Sequence, residues 1–308
     1  MKLKKPKFWD YKKPNIYAYL FLPISFLLKI LNSTRLKSEP KKVNIKTICV
    51  GNIYIGGTGK TSLSIKINEL LIKNKIKSCF VKKFYKNQKD EQKLLKNRGR
   101  LFMASKRIDA INKAEKEGYE IAILDDGLQD SSIHYDLSIV CFNNLNWIGN
   151  GLTIPAGPLR DDIKTLNKYQ HIFLNGNLEN LENLEKKILE INSDISIHLG
   201  KYEATNLKQF SMYDRYLVFS GIGNHHTFLS MLKNYGLNIY EDLEFPDHYK
   251  YTDNDINQIL NMADNLNCKI ITTEKDYLRL ENNKIDKIRY IKSNLKIINE
   301  EKLVNIII

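Results

Sequence analysis

The run Gly56-Gly57-Thr58-Gly59-Lys60-Thr61 limits what this chain can be more than any other stretch. It lies inside Ile45 to Lys66, IKTICVGNIYIGGTGKTSLSIK. Thr47 to Val50 reads as a buried strand, and Leu63, Ile65, Ile67, Leu70 and Leu71 carry an apolar helical face onward. Strand, glycine loop, Lys-Thr and helix is the layout of a phosphate-binding P-loop. Glycines let backbone N–H groups close around phosphate oxygens, and the helix N-terminus adds partial positive charge. Lys60 is placed to reach β- and γ-phosphates, and the Thr61 hydroxyl to ligate Mg2+. Tyr54 stands where the usual pattern has its first glycine. The plain alternative is a glycine-rich turn without a ligand. Lys-Thr at the handover from strand to helix favours the phosphate site.

A second signal follows the strand Ile121 to Leu124, which delivers Asp125 and Asp126 at its C-terminal end. In a P-loop fold this is where an acid meets the Mg2+ shell, and a solvated loop is the bland reading. Strands alternating with helices in both halves predict an α/β protein. The expected architecture is a P-loop parallel-sheet domain, 33–194, an extended linker, 195–215, and a smaller α/β domain, 216–308. The chain has 308 residues and a net charge of +13, which points to an anionic partner. The charge is mostly Lys in an Asn- and Ile-rich background, so it weighs little. Cys49, Cys79, Cys141 and Cys268 are scattered without a CxxC pair, which favours a reducing compartment.

Residues 1–32 form a basic, aromatic start followed by the apolar segment Ile16 to Leu31. Pro23 and Lys29 interrupt that segment, and it is short for a membrane span. It suits a helix lying in a membrane interface, and equally a helix packed on the protein's own core. The lysines from Lys82 to Lys96 read as a solvated face.

Six segments occur in order: VGNIYIGGTGKT, LDDGLQD, GNGLTIPAGPLRD, SGIGN, FPDHYKYT and TTEKD. Together they resemble the tetraacyldisaccharide 4'-kinases, the lipid A 4'-kinases of Gram-negative bacteria. The resemblance implies an ATP- and Mg2+-dependent transfer of the γ-phosphate to the 4'-hydroxyl of a lipid A disaccharide 1-phosphate. It implies peripheral attachment at the anionic cytoplasmic face of the inner membrane, and no nucleic acid among its partners. A monomer is expected.

The roles implied by the resemblance fall on particular positions. Gly56, Gly57, Thr58, Gly59, Lys60, Thr61 and Arg107 fall on nucleotide contacts. Thr61, Asp125, Asp126 and Asp161 fall on the metal shell, with Asp161 standing where the family has Glu. Asp90 falls on the catalytic base and His248 on its partner, beside Lys60 as the catalytic cation. Closure of two domains over the phosphate is expected to bring Asp90 and His248 together. Three departures stand out: the family's SRGY reads Lys82-Lys83-Phe84-Tyr85, the His ending its DDGFQH is Asp130, and the stretch between Tyr85 and Asp90 is short. Two other readings stay open. One is a GTPase-like metallochaperone, for which TEKD is a loose guanine-reading segment. The other is a catalytically degenerate membrane-bound binding protein.

Overall fold

The computed structural model describes residues 5–33, 39–84, 89–176, 178, 181–280 and 285–308. Tyr85 of the KKFY segment and the first four residues lie outside them. In chain order the elements are α1 (Ile16–Ser33), β1 (Lys46–Gly51), α2 (Lys60–Lys73), β2 (Ser78–Lys83), α3 (Lys89–Lys96), β3 (Leu101–Ala104) and α4 (Arg107–Lys116). Then come β4 (Ile121–Asp125), β5 (Leu137–Asn143), β6 (His171–Asn175), α5 (Glu182–Ile191), β7 (Ser196–Ala204), β8 (Arg215–Ser220) and α6 (His225–Asn234). The last are β9 (Asn238–Glu244), α7 (Asp253–Asn265), β10 (Lys269–Thr273), α8 (Glu274–Tyr277), β11 (Ile288–Ile291), β12 (Ser293–Ile298) and α9 (Glu300–Ile307).

Two compact units result. The larger contains Met1–Phe84, Arg98–Lys201 and Ile297–Ile308. The eight-stranded sheet, whose central strands lie in this unit, runs β12-β7-β6-β5-β1-β4-β2-β3, with β1 paired in parallel to both β4 and β5. The central strands are buried along nearly their whole length and mostly apolar, as strands covered on both faces must be. One face buries Cys49, Val81, Ala110 and Leu124, the other Ile53, Val140, Phe142 and Ile172. Parallel strands place all their C-terminal ends on one rim, where ligands of such sheets bind. Gly51, Lys83, Asp125, Asn143 and Asn175 close these strands.

Helix α1 belongs to this unit and is docked through its small residues. Ala18 and Ser25 are buried. The Ser25 hydroxyl donates to the Thr153 carbonyl at 2.9 Å and accepts from the Ala156 N–H at 3.1 Å. The Trp9 indole donates to the Pro155 carbonyl at 3.0 Å. A Cβ at Gly149 would sit 2.1 Å from the Trp9 carbonyl, so this close approach requires glycine. The large side chains of α1, among them Leu20, Phe26 and Leu27, remain exposed. The segment thus packs on the larger unit through one face and leaves an apolar surface on the rest. Among the described residues no helix is long and apolar enough to cross a membrane.

The smaller unit contains Tyr85–Asn97 and Tyr202–Lys296. Its sheet is parallel, in the order β11-β10-β8-β9. Ser220, His225 and Asp242 line up here as hydroxyl, imidazole and carboxylate, at 2.6 and 2.9 Å. The hydroxyl is fully buried, so the trio braces the turn after β8 and offers no accessible nucleophile.

The units correct the expected boundaries in three ways. Residues 1–32 share the larger unit with the P-loop. Residues 85–97 fall in the smaller unit, because α3 is tied to it by ion pairs. The C-terminal helix α9 returns to the larger unit, where it buries Leu303 and Ile307 and pairs Glu300 with Lys66 at 3.0 Å. The expected linker 195–215 contains β7, which pairs with β6, and only its later part is irregular.

Candidate active site

In the larger unit, the loop between β1 and α2 is shaped by buried amides. Asn52 Nδ2 donates to Thr58 Oγ1 at 2.8 Å, and Asn175 Nδ2 donates to the Thr58 carbonyl at 2.7 Å. Gly59 caps α2 at φ 80, a conformation that disfavours any side chain. The first N–H groups of α2 are left for a ligand, as at any helix start. Lys60 and Thr61 open that helix.

The acids lie on the same rim. Thr61 Oγ1 donates to Asp125 Oδ2 at 3.3 Å, and Lys82 Nζ is 2.5 Å from the same oxygen. Asp126 adopts φ 61, which costs a non-glycine residue about 1–2 kcal/mol. Its N–H is anchored on the Val50 carbonyl at 2.8 Å. Arg160 Nη1 lies 3.0 Å from Asp126 Oδ1 and Lys60 Nζ 3.9 Å from it. Burial pushes the Asp126 carboxyl up, but Lys60, Arg160 and Lys82 more than offset this and hold it below the usual carboxylate range. Gln129 Nε2 donates to Asp161 Oδ2 at 3.1 Å and to the Asn52 carbonyl at 2.8 Å, tying Asp161 to the P-loop. Thr61, Asp125, Asp126 and Asp161 offer a hydroxyl and carboxylates, the hard oxygen donors that suit Mg2+. Among the described residues no group of three or more His, Cys, Asp or Glu forms a metal cage by itself.

Arg107 is a brace in this arrangement. Its Nη1 lies 3.0 Å from Asp130 Oδ2 and its Nη2 donates to the Asp126 carbonyl at 2.6 Å. Asp130, one of the departures from the family pattern, is thus the acid that fixes Arg107 beside Asp126.

The second set of residues lies within the smaller unit. His248 Nδ1 is 3.1 Å from Asp90 Oδ2. Arg279 Nε and Nη2 donate to that same Oδ2 at 2.9 and 2.7 Å. Lys275 pairs with Glu91 at 3.2 Å, and His248 Nε2 stands 3.5 Å from Glu91 Oε1. Burial raises the Asp90 carboxyl, but the His248 hydrogen bond, Lys275 and Arg279 overcome it and hold it far below the usual range. His248 adopts φ 57, with its N–H on the Gly221 carbonyl at 3.0 Å. Arg279 Nη1 also bonds Asp276 at 2.7 Å.

These contacts revise three expectations. Asp90 and His248, 158 positions apart, meet inside one unit, so their pairing needs no closure. Lys82 is buried and no part of a solvated face, because the Asp125 carboxylate compensates its charge. Asp276 of TEKD is fully buried and accepts from the Gly221 N–H, the Tyr251 and Thr273 hydroxyls and Arg279, so it is a structural hub and does not read a base. Sequence reasoning missed Lys82, Gln129, Arg160, Lys275 and Arg279 as partners. Gln129 and Arg160 sit inside the quoted motifs, and Arg279 follows TEKD by three residues.

The fold and the rim of oxygen donors around GGTGKT define a P-loop phosphotransferase class. The sequence profile of the family described as "Tetraacyldisaccharide-1-P 4'-kinase" matches residues 17–308. A tetraacyldisaccharide 4'-kinase of Pelagibacter ubique is 60% identical over 307 residues, covering 99% of this chain and 97% of that protein. One from Rickettsia canadensis is 36% identical over 299 residues, covering 91% and 89%. The chain belongs to the tetraacyldisaccharide 4'-kinase family. A crystal structure of LpxK from Aquifex aeolicus in complex with ATP shares the fold, with TM-score 0.71 and 24% identity over 95% of this chain and 98% of that one.

Proposed function

We propose that this chain transfers the γ-phosphate of ATP to the 4'-hydroxyl of a tetraacyldisaccharide 1-phosphate. The observation that carries the reading is the Lys60-Thr61 helix start set against Asp125 on one rim of the sheet. In this reading the N–H groups from Gly56 to Thr61 bind the phosphates and Lys60 neutralises charge as it develops. Mg2+, held by Thr61, Asp125, Asp126 and Asp161 around the triphosphate, would supply further charge neutralisation. Arg107 would act by holding the Asp126 backbone in place. Asp90 would accept the proton of the attacking hydroxyl late in transfer, which suits a weak base. Its hydrogen bonds among the described residues converge on Oδ2, and Oδ1 is the atom proposed to take that proton. His248 and Arg279 would orient the carboxylate.

The exposed apolar side chains of α1, behind the basic start, support peripheral attachment to an anionic inner-membrane surface at its cytoplasmic side. A monomer that binds no nucleic acid is part of the same reading. The test is incubation with γ-labelled ATP, Mg2+ and the disaccharide 1-phosphate in detergent. Label appearing in the lipid is expected. ATP turnover without labelled lipid would overturn the acceptor assignment.

A further inference from the structure

Lys82 is the last residue but one of β2, and its side chain is almost wholly out of water. A buried ammonium is costly unless a carboxylate compensates it. Its Nζ lies 2.5 Å from Asp125 Oδ2, and Asp125 is itself fully buried. The same oxygen accepts the Thr61 hydroxyl at 3.3 Å. Asp126, the next residue, faces Arg160 at 3.0 Å and Lys60 at 3.9 Å. Two carboxylates at the end of β4 therefore meet three cations. Acids meant to capture a bare divalent ion are not surrounded in this way, because each neighbouring cation repels the metal. A site with this balance receives an anion first.

We propose that Lys82 is the resident counter-cation of Asp125 and sets the order in which this chain accepts its ligands. Before nucleotide arrives, the ammonium occupies Asp125 Oδ2 and keeps free Mg2+ from competing for it. Triphosphate brings the negative charge that draws the metal in. Asp125 would then serve both the ammonium and the metal, and the flexible lysine stem would let the ammonium swing. The inference rests on reading Asp125 as part of the metal shell, and the experiment separates the two.

The measurement is Mn2+ binding by electron paramagnetic resonance, on the full chain without nucleotide and again with ADP. Wild type should bind free Mn2+ weakly and bind it well with ADP. Lys82→Gln and Lys82→Ser should bind free Mn2+ about tenfold or more tightly, because one repelling charge a few ångströms away is gone. Lys82→Arg, which keeps the charge, should behave as wild type. Asp125→Asn should weaken Mn2+ binding in the presence of ADP. If Asp125→Asn does so while the neutral Lys82 variants keep wild-type affinity for free Mn2+, the role of Lys82 is overturned and the metal-shell reading survives. If Asp125→Asn changes nothing, the metal-shell reading fails and the proposal with it. Should the neutral variants not fold, the Lys82 Nζ resonance of the 15N-lysine-labelled wild type decides. It should move on adding Mg2+ with ADP and stay in place with the same Mg2+ alone. Movement with Mg2+ alone overturns the proposal.

Discussion

Two buried carboxylates, Asp125 in the larger unit and Asp90 in the smaller, are held in opposite ways. Asp125 takes an ammonium on a flexible stem and a hydroxyl. Asp90 takes a planar guanidinium through two nitrogens and an imidazole. An ammonium is a movable point charge, whereas a guanidinium fork fixes the orientation of its acid. The first arrangement can rearrange around an incoming ion. The second holds one oxygen still, at a low proton affinity, and presents the other. The contrast separates the binding of phosphate and metal from the acceptance of a proton.

The largest effect should come from breaking the first region. Lys60→Ala should cost about 3 kcal/mol of transition-state stabilisation, roughly a hundredfold or more in kcat/KM. Wild-type-like lipid phosphorylation by this variant would remove the P-loop from the chemistry. In the second region, Asp90→Asn should lower kcat about a hundredfold or more and leave ATP affinity near wild type, since no phosphate contact is lost. His248→Ala should do less, and the double variant should be little worse than Asp90→Asn alone because the two groups touch. Multiplicative losses in a double-mutant cycle on kcat would show two separate tasks.

The smallest and sharpest effect concerns Arg279. Asp90 must be ionised to accept a proton, and its carboxyl is depressed in the folded chain. The stability it contributes is therefore present above its unfolded value and lost only as pH falls through the folded one. Arg279→Met removes cationic support while burial remains, so the Asp90 value should rise. The acid limb of the kcat profile should then move toward neutral by about one pH unit, with kcat at pH 8 changed much less. An unmoved limb would mean that Arg279 only packs.

Legibility in the sequence tracks this contrast. Lys60, Thr61 and Asp125 could be read directly because strand, loop and helix follow one another and the acids end a strand. Asp90 and His248 entered only through the resemblance, since an Asp in a polar run and a His in a loop look solvated. Lys275 lies inside TTEKD and Arg279 just beyond it, but the acids Asp90 and Glu91 that give them a role lie in α3, far along the chain. Lys82 was misread for a related reason: burial depends on Asp125, which pattern along β2 cannot register. Helix α9 is a short amphipathic segment that would suit any sheet, so its return to the larger unit was invisible.

The division of the chain has a consequence for inheritance. The polypeptide passes from one unit to the other four times, after Phe84, Asn97, Lys201 and Lys296. No single cut releases either unit whole. A fragment ending at Lys201 would carry Asp90 without His248 or Arg279, and would lose α9. A crossover with a relative anywhere between Asp90 and His248 would draw Asp90 from one parent and His248 and Arg279 from the other. The interleaving makes the smaller unit a poor candidate for exchange as one contiguous piece, because α3 reaches it from the first third of the chain.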